Sequence, residues 1–171
     1  MFPGLLKIHI LGSSFRPSMP CIVLVHPEIL RNTGNIARTC AATNTPLHLV
    51  GPLGFELSDR YLKRAGLDYW PFVDLHYHDS LEALSAARPQ HPGRWIGFST
   101  SGALNYTAFQ FHADDWLLFG CETQGLPPDA LAACDATVYI PMSQTHVRSL
   151  NLSVSAALGL FEARRQLGDL E

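Results

Sequence analysis

The segment TVYIPMSQTHVRSLNLSVSAALGLFEARRQ, which runs from Thr137 to Gln166, decides the fold that we predict for this chain. It opens with a β-rich run to Ile140, and Pro141 ends the predicted strand because proline cannot donate to a sheet ladder. From Ser149 the pattern changes to an apolar helix, which the Ser149 side chain is suited to cap. One face of this helix carries apolar residues at offsets of four, seven and eleven, namely Leu150, Val154, Ala157 and Phe161.

The loop between this strand and this helix is a candidate ligand site. A strand that leads through a polar loop into a helix exposes backbone N–H and C=O groups that can bind a small ligand. The loop also carries Arg148, Ser149 and Asn151. An arginine, a hydroxyl and an amide in this spacing suit a ribose or a phosphate, and they equally suit a plain helix cap beside a solvated arginine. Spacing alone leaves both interpretations open.

The composition is that of one folded domain. The chain has 171 residues, of which 47% are hydrophobic and 16% charged. Residues 1–20 have no sustained period and are predicted to be an N-terminal extension, while 21–171 are predicted to form a single domain. The apolar runs are too short for a membrane span and no signal peptide is recognisable, so we expect a cytoplasmic protein with no membrane partner.

The net charge argues against nucleic-acid binding by bulk charge, and the spacing of cysteines and histidines argues against a metal site. The net charge of −3 excludes nucleic-acid binding by bulk charge, so any such site is a local patch. The four cysteines are widely separated without C-x-x-C spacing, which favours reduced core thiols. His76 and His78 share a strand face but have no third ligand nearby in the sequence, and we therefore predict no metal site.

Predicted strands alternate with predicted helices along the chain. The strands are placed at 21–26, 47–50, 72–76, 94–99, 116–120 and 137–140, and the further helices at 32–44, 58–66, 80–88 and 127–134. This alternation predicts an α/β domain with a mainly parallel sheet, whose ligand site lies beyond the carboxyl ends of the strands. The first strand is not followed by G-x-G-x-x-G, which counts against a dinucleotide site.

Two groups of charged residues in this pattern are candidates for function. The predicted helix at 58–66 places Arg60, Lys63 and Arg64 on one face, which is either a basic patch or an ordinary solvated face. Glu122 directly follows a fully apolar strand and precedes a turn, a placement that packing alone does not explain.

Three segments resemble the motifs of a known class of enzymes. NTGNIAR at 32–38, LLFGCETQGLP at 117–127, and IPM with RSLNLS between 140 and 153 are similar, in that order, to the three motifs of the SPOUT class of RNA ribose methyltransferases. LKRAGLDYW at 62–70 resembles a segment of the tRNA wobble-nucleotide 2′-O-methyltransferases. The resemblance implies a Rossmann-like α/β fold with a C-terminal deep trefoil knot, and methylation of cytidine or modified uridine at position 34 in the anticodon stem-loop.

The resemblance also implies a methyl donor and a dimer. S-adenosylmethionine is expected to bind without metal at Phe98, Gly120, Ile140 and Ser149, with Leu126 and Leu150 close by. A homodimer is expected, with residues of both subunits at each site. Gly159 and Phe161 on the last helix either lie in the dimer seam or face the sheet of their own subunit.

For catalysis the resemblance assigns a set of five residues, namely Asn32, Arg38, Glu122, Ser149 and Asn151. Methyl transfer to a hydroxyl requires an in-line arrangement and removal of the hydroxyl proton. Arg38 is the proton acceptor proposed for the class, but an arginine has a pKa above about 12, so it equally suits a bidentate contact to the target phosphate.

The RNA is expected to lie along a groove across the dimer. The predicted RNA-binding residues are Arg31, Arg60, Lys63, Arg64 and Arg148. The segment PEILR departs from the usual proline pair of the class at Leu30 and Arg31, and Arg31 adds a charge that can meet RNA. Two alternatives remain at this stage: methylation of another RNA site, and a non-catalytic RNA-binding protein.

Overall fold

A computed structural model describes residues 19–57 and 69–170 of the protein, and a seven-stranded parallel sheet is its central layer. The strands are β1 Cys21–Val25, β2 Leu47–Val50, β3 Leu75–His78, β4 Trp95–Phe98, β5 Leu104–Asn105, β6 Trp116–Phe119 and β7 Ala136–Tyr139. The helices are α1 Leu30–Thr43, α2 Leu81–Ala87, α3 Pro128–Ala133 and α4 Leu152–Leu167, with short 3-10 turns at Trp70–Phe72 and Arg88–Gln90. The spatial order of the strands is β3-β2-β1-β6-β4-β7-β5, which confirms the predicted α/β class.

β1 lies in the interior of the sheet, next to the middle strand β6, because every residue of CIVLV is buried and both edges of the strand are paired. Alternate side chains of β1 enter two cores. Ile22 and Leu24 face the core under α1 and α4, while Val23 and Val25 face the core under α2 and α3. Helices therefore cover both faces, and the carboxyl ends of the strands form the edge where sheets of this type bind ligands.

The last helix, α4, has two apolar faces. Its buried face, which packs on the sheet, consists of Leu152, Ala156, Gly159, Leu160 and Ala163. A Cβ atom on Gly159 would lie 2.7 Å from Cζ of Phe98 and 3.1 Å from Cζ of Phe119, so Gly159 faces its own sheet. A dimer-seam position is therefore wrong for Gly159. Phe161, in contrast, is 44% exposed.

Several predicted boundaries differ from the structure. Asn151, not Ser149, caps α4, because its Oδ1 accepts from Ser153 N at 2.8 Å. β3 begins at Leu75, since Trp70–Phe72 forms a 3-10 turn with a proline in its first positions. α1 begins before Asn32, and the two-residue strand β5 had no sequence signal.

Some predictions lie outside the described residues or stay predictions. The helix at 58–66 and nearly all of the N-terminal extension belong to the first group. The trefoil knot and the single domain over 21–171 stay predictions. Among the described residues, no helix is long and apolar enough to cross a membrane. Cys21 and Cys40 are buried free thiols as expected, whereas Cys121 and Cys134 are only partly buried.

A cluster of histidines joins β2 to the edge strand β3. The buried ring of His48 lies between His76 and Trp116, with ring centroids 4.5 Å away on each side. Its Nδ1 is hydrogen-bonded to His78 Nε2 at 3.0 Å. His48 is thus a third histidine beside the pair seen in the sequence. Burial, followed by the neighbouring histidines, holds the pKa of His48 well below its usual value.

The histidine cluster makes stability depend on pH. Burial lowers the pKa of His78 to about 4, whereas an unfolded histidine titrates near 6.5. Between these values the unfolded chain binds more protons, so the free energy of unfolding falls as the pH falls. We expect urea unfolding at several pH values to show a shallower decline for His78→Gln than for the wild type. His112→Gln, at an exposed site, is the control, and equal pH slopes for all three proteins would contradict the prediction.

Candidate active site

Three of the predicted cofactor residues lie side by side at one edge of the sheet. Phe98 ends β4, while Gly120 and Ile140 directly follow β6 and β7. These three strands are neighbours in the order β6-β4-β7, although they are far apart in the sequence. The carboxyl ends of parallel strands are where α/β proteins bind ligands, so this edge is the candidate site.

The turn after β6 folds back onto Gly120. Cys121 N donates to Gly125 O at 3.2 Å, and Gly125 N donates to Cys121 O at 2.9 Å. A Cβ atom on Gly120 would lie 1.8 Å from the carbonyl carbon of Gly125 and 2.0 Å from Leu126 N. Position 120 therefore accepts only glycine in this conformation, and the closed turn fixes the residues between 121 and 125.

Glu122 is the centre of the hydrogen-bond network that this turn presents. Its Oε2 accepts from Glu28 N at 2.8 Å, and its Oε1 accepts from Ile29 N at 3.3 Å and from Asn32 Nδ2 at 3.0 Å. Ile29 cannot cap α1 with its side chain, and the first turn of α1 contains no acidic residue. Glu122 therefore supplies the carboxylate that the positive end of α1 favours.

The network continues from Asn32 to the last helix. Asn151 Nδ2 donates to Asn32 Oδ1 at 3.1 Å, and Asn151 Oδ1 accepts from Ser153 N at 2.8 Å and from Ser153 Oγ at 2.7 Å. Each amide thus accepts on one side and donates on the other, which fixes the orientation of both. An amide nitrogen carries two hydrogens, so each asparagine retains a second donor. The segments containing Glu122, Asn32 and Asn151, distant in the sequence, meet here.

Glu28 is a member of this site that the sequence analysis missed. Its carboxylate accepts from Thr123 N at 3.3 Å and from Thr123 Oγ1 at 2.9 Å, while Glu28 N donates to Glu122. The loop after β1 and the turn after β6 therefore exchange hydrogen bonds in both directions. Glu28 follows a buried strand just as Glu122 does, and that placement is the signal that would have identified it.

The other predicted catalytic residues lie apart from this network. Ser149 is exposed and makes no hydrogen bond within the described part of the chain. Arg38 lies on the exposed stripe of α1 together with Arg31 and Asn35, whereas Asn32 lies on the buried side. The guanidinium carbon of Arg38 lies 4.6 Å from the ring centroid of Tyr69.

Of the predicted RNA-binding residues, the structure places only two. Arg31 and Arg148 are both exposed, Arg31 at the start of α1 and Arg148 in the loop before α4. Arg60, Lys63 and Arg64 lie outside the described residues. Whether these five form one groove across the dimer together with Arg38 stays a prediction.

The predicted cofactor residues fit an uncharged heterocycle held by backbone groups. The ring of Phe98 is buried in the core, where it stacks on Phe119 with 4.5 Å between ring centroids. The backbone of Phe98, more than its side chain, is therefore available at the ends of the strands. Leu126 is also buried, whereas Ile140 is half-buried and Leu150 is 36% exposed. Apolar side chains beside backbone donors and acceptors suit an adenine ring, so these residues fit S-adenosylmethionine.

The network can orient a ligand more readily than it can exchange protons with one. Three donors already engage the Glu122 carboxylate, and the two asparagines hold their spare N–H groups in fixed directions. Preorganised donors of this kind stabilise negative charge that develops on an oxygen. The arrangement is therefore suited to a reaction in which a bound hydroxyl becomes a nucleophile.

Comparison with known proteins identifies the family of the chain. The SpoU rRNA Methylase family matches residues 19–161. A protein from Synechocystis sp. is 57% identical over 149 residues, which cover 87% of this chain and 97% of that protein. Relatives from Yersinia pestis and Burkholderia ambifaria, both named tRNA (cytidine(34)-2′-O)-methyltransferase, are 46% and 44% identical over 86% of this chain and 93% and 95% of theirs.

Solved structures extend the likeness to the fold. A protein described in work on the 2-OH methylation of C/U34 on tRNA superimposes with a TM-score of 0.82 at 50% identity, covering 89% of this chain and 98% of that one. The SpoU methyltransferase AviRb from Streptomyces viridochromogenes, in complex with AdoMet, has a TM-score of 0.77 at 26% identity over 89% of this chain and 62% of its own. With a match over most of its length and a shared parallel-sheet fold, the chain belongs to the SpoU rRNA methylase family.

Proposed function

We propose that the protein transfers a methyl group from S-adenosylmethionine to the ribose 2′-hydroxyl of the wobble nucleotide of tRNA, cytidine or modified uridine at position 34. The observation that carries this proposal is the network of Glu122, Asn32 and Asn151, which gathers all three motif segments beside the ends of β4, β6 and β7. The names of the relatives from Yersinia pestis and Burkholderia ambifaria support the choice of position 34.

The methyl donor is placed at the strand ends without a metal ion. Backbone groups of Phe98, Gly120 and Ile140 would hold the donor, with Leu126 and Leu150 close by. The exposed Ser149 hydroxyl would be available to bind one of its polar groups. When bound, S-adenosylmethionine supplies a methyl group on a positively charged sulfur, and the protein residues align the hydroxyl with it.

Each catalytic side chain has a defined task in this proposal. Glu122 fixes the orientation of the Asn32 amide and of the N-terminus of α1. The second N–H of Asn32 or of Asn151 donates to the 2′-oxygen as it becomes nucleophilic. Arg38 binds the phosphate beside the target ribose. Water is the acceptor of the hydroxyl proton.

The tRNA is held by local basic residues, since the chain as a whole is acidic. Arg31 lies two helical turns before Arg38 on the same exposed stripe of α1, so both contact the anticodon stem-loop. Arg148, together with Arg60, Lys63 and Arg64, extends this surface. We place the reaction in the cytoplasm, where tRNA is modified.

The active form is proposed to be a homodimer that pairs through the exposed face of α4. Val154, Leu158 and Phe161 follow one another at helical spacing and are 48%, 37% and 44% exposed. Tyr106 and Leu170 line the same depression beside them. A contiguous apolar surface of this kind marks an interface, and a second copy of the chain fits it because the apolar faces are self-complementary.

The dimer has a direct test in solution. Phe161→Glu places a charge in the centre of the apolar face, so we expect light scattering at micromolar concentration to give a dimer for the wild type and a monomer for the variant. Phe72→Glu is the matched control, because Phe72 is 76% exposed and is not among the residues that line the depression beside α4, so the dimer should stay intact. A monomeric wild type would remove this part of the proposal.

The reaction itself is tested by mapping the modified nucleotide. The protein is incubated with tRNA transcripts and labelled S-adenosylmethionine, and the methylated ribose is located by nuclease digestion and mass spectrometry. We expect label at nucleotide 34, lost when that nucleotide alone is replaced by its 2′-deoxy form and retained when a neighbouring loop nucleotide is replaced. Label at another position would assign a different RNA site, and RNA binding without label would indicate a binding protein.

A further inference from the structure

Tyr69 contacts both ends of one turn of α1. Its hydroxyl donates to the carbonyl oxygen of Gly34 at 2.6 Å, and its ring lies 4.6 Å from the guanidinium carbon of Arg38. Gly34 and Arg38 are four residues apart, so they lie above one another on the same side of the helix. The tyrosine therefore spans the segment of motif one that presents Arg38.

Packing against the core fixes the position of Tyr69. The next residue, Trp70, is buried in the core under α1 and α4, and Tyr69 itself packs against that core. With its backbone anchored by Trp70 and its hydroxyl bound to Gly34, the ring has little freedom to move. Arg38, in contrast, is exposed, and within the described residues its side chain makes no hydrogen bond or ion pair.

The ring contact favours the charged form of Arg38. A guanidinium over an aromatic face is attracted by the negative face of the ring, and the neutral form of the side chain loses this attraction. The other charged group on the exposed stripe of α1 is Arg31. Within residues 19–57 and 69–170, the titratable group that packs on Arg38 from another element is Tyr69, which directly precedes the 3-10 turn. The contact thus opposes the loss of a proton that an arginine base would require.

We propose that Tyr69 is a positioning residue that holds Arg38 as a permanent cation, which orients the target nucleotide rather than accepting its hydroxyl proton. The inference rests on the proposed methyl transfer. In that step a bond forms between the 2′-oxygen and the methyl carbon, the carbon–sulfur bond breaks with its electron pair remaining on sulfur, and the hydroxyl proton passes to water. Arg38 stays protonated throughout and places the nucleotide by its charge and fork of donors.

Substitutions at position 69 separate the ring from the hydroxyl. Tyr69→Phe keeps the ring and loses the bond to Gly34, so we expect a loss of at most about threefold in the single-turnover rate. Tyr69→Leu removes the ring, and we expect its single-turnover rate to fall about tenfold while its affinity for the methyl donor changes little. If the leucine variant does not fold, fluorinated phenylalanines at position 69 provide a second test. They keep the shape of the ring but weaken its negative face, so the single-turnover rate should fall step by step as fluorines are added. Phe72→Leu, in the same turn, is the unchanged control.

The charge state of residue 38 is tested by pH. A lysine has a pKa near 10.4, so the rate of Arg38→Lys relative to wild type should fall as the pH approaches that value if a cation is required. A base role predicts the opposite, because deprotonated lysine would accept the proton. A rising ratio, or equal rates for Tyr69→Leu and wild type, overturns the inference. Failure of the wild type to methylate any tRNA would instead overturn the proposed function.

Discussion

Replacing Glu122 with glutamine is expected to lower the single-turnover rate of methyl transfer by about 100-fold, since hydrogen bonds to a charged acceptor contribute about 1.5–3 kcal/mol each. The carboxylate accepts from two backbone N–H groups and from the Asn32 amide. An amide side chain must turn its own NH₂ group toward one of these donors. In one orientation Asn32 loses the contact that orients it toward Asn151, and in the other Glu28 N loses its acceptor at the start of α1.

The matched control for Glu122 is a carboxylate of the same kind on another face. Glu82 is exposed in the first turn of α2, so Glu82→Gln should methylate tRNA at the wild-type rate. Binding of S-adenosylmethionine, measured by calorimetry, distinguishes a disturbed network from a misfolded protein. A Glu122→Gln protein that bound the donor and methylated tRNA at full rate would show that the network is only structural.

Gly120→Ala is expected to destabilise the protein by about 3 kcal/mol and to abolish binding of the methyl donor, because the added Cβ atom has no space. It would lie 1.8 Å from the backbone of Gly125, and a backbone atom cannot move aside as a flexible side chain does. The turn carrying Glu122 must open to relieve the contact. Urea unfolding and calorimetry with S-adenosylmethionine measure the two effects.

Gly125 provides the control for Gly120. Nothing lies within 4 Å of a Cβ atom built there, and its φ of +73° is a conformation that asparagine tolerates. Gly125→Asn should therefore cost at most about 1 kcal/mol and retain donor binding. Equal stability of Gly120→Ala and wild type would mean that the turn is not closed in solution.

The central part of the fold was predictable because the pattern and the packing agree there. The continuous apolar run of β1 predicts a strand covered on both faces, and that is its environment. Prediction failed where the local sequence is compatible with more than one secondary structure. Phe72 has strong β propensity, yet the preceding proline places it in an exposed 3-10 turn.

The candidate site was predictable only through the motifs. Nothing in local spacing reveals that Glu122 meets Asn32, because 90 residues separate them and the contact depends on the strand order. Asn151 was named as a catalytic residue, but its role as the cap of α4 was assigned to Ser149. The contact of Tyr69 with Arg38 was equally hidden, since it requires the 3-10 turn to pack on α1.

The exchange of hydrogen bonds between Glu28 and the turn after β6 couples two binding events. Since each of the two segments is bound by the carboxylate of the other, they become ordered together. A methyl donor that further restricts the turn beside Gly120 is therefore expected to restrict the start of α1 as well, which carries the proposed RNA contacts Arg31 and Arg38. By thermodynamic reciprocity, tRNA raises donor affinity by the same factor as the donor raises tRNA affinity. The two ligands are thus expected to bind with positive cooperativity, in either order.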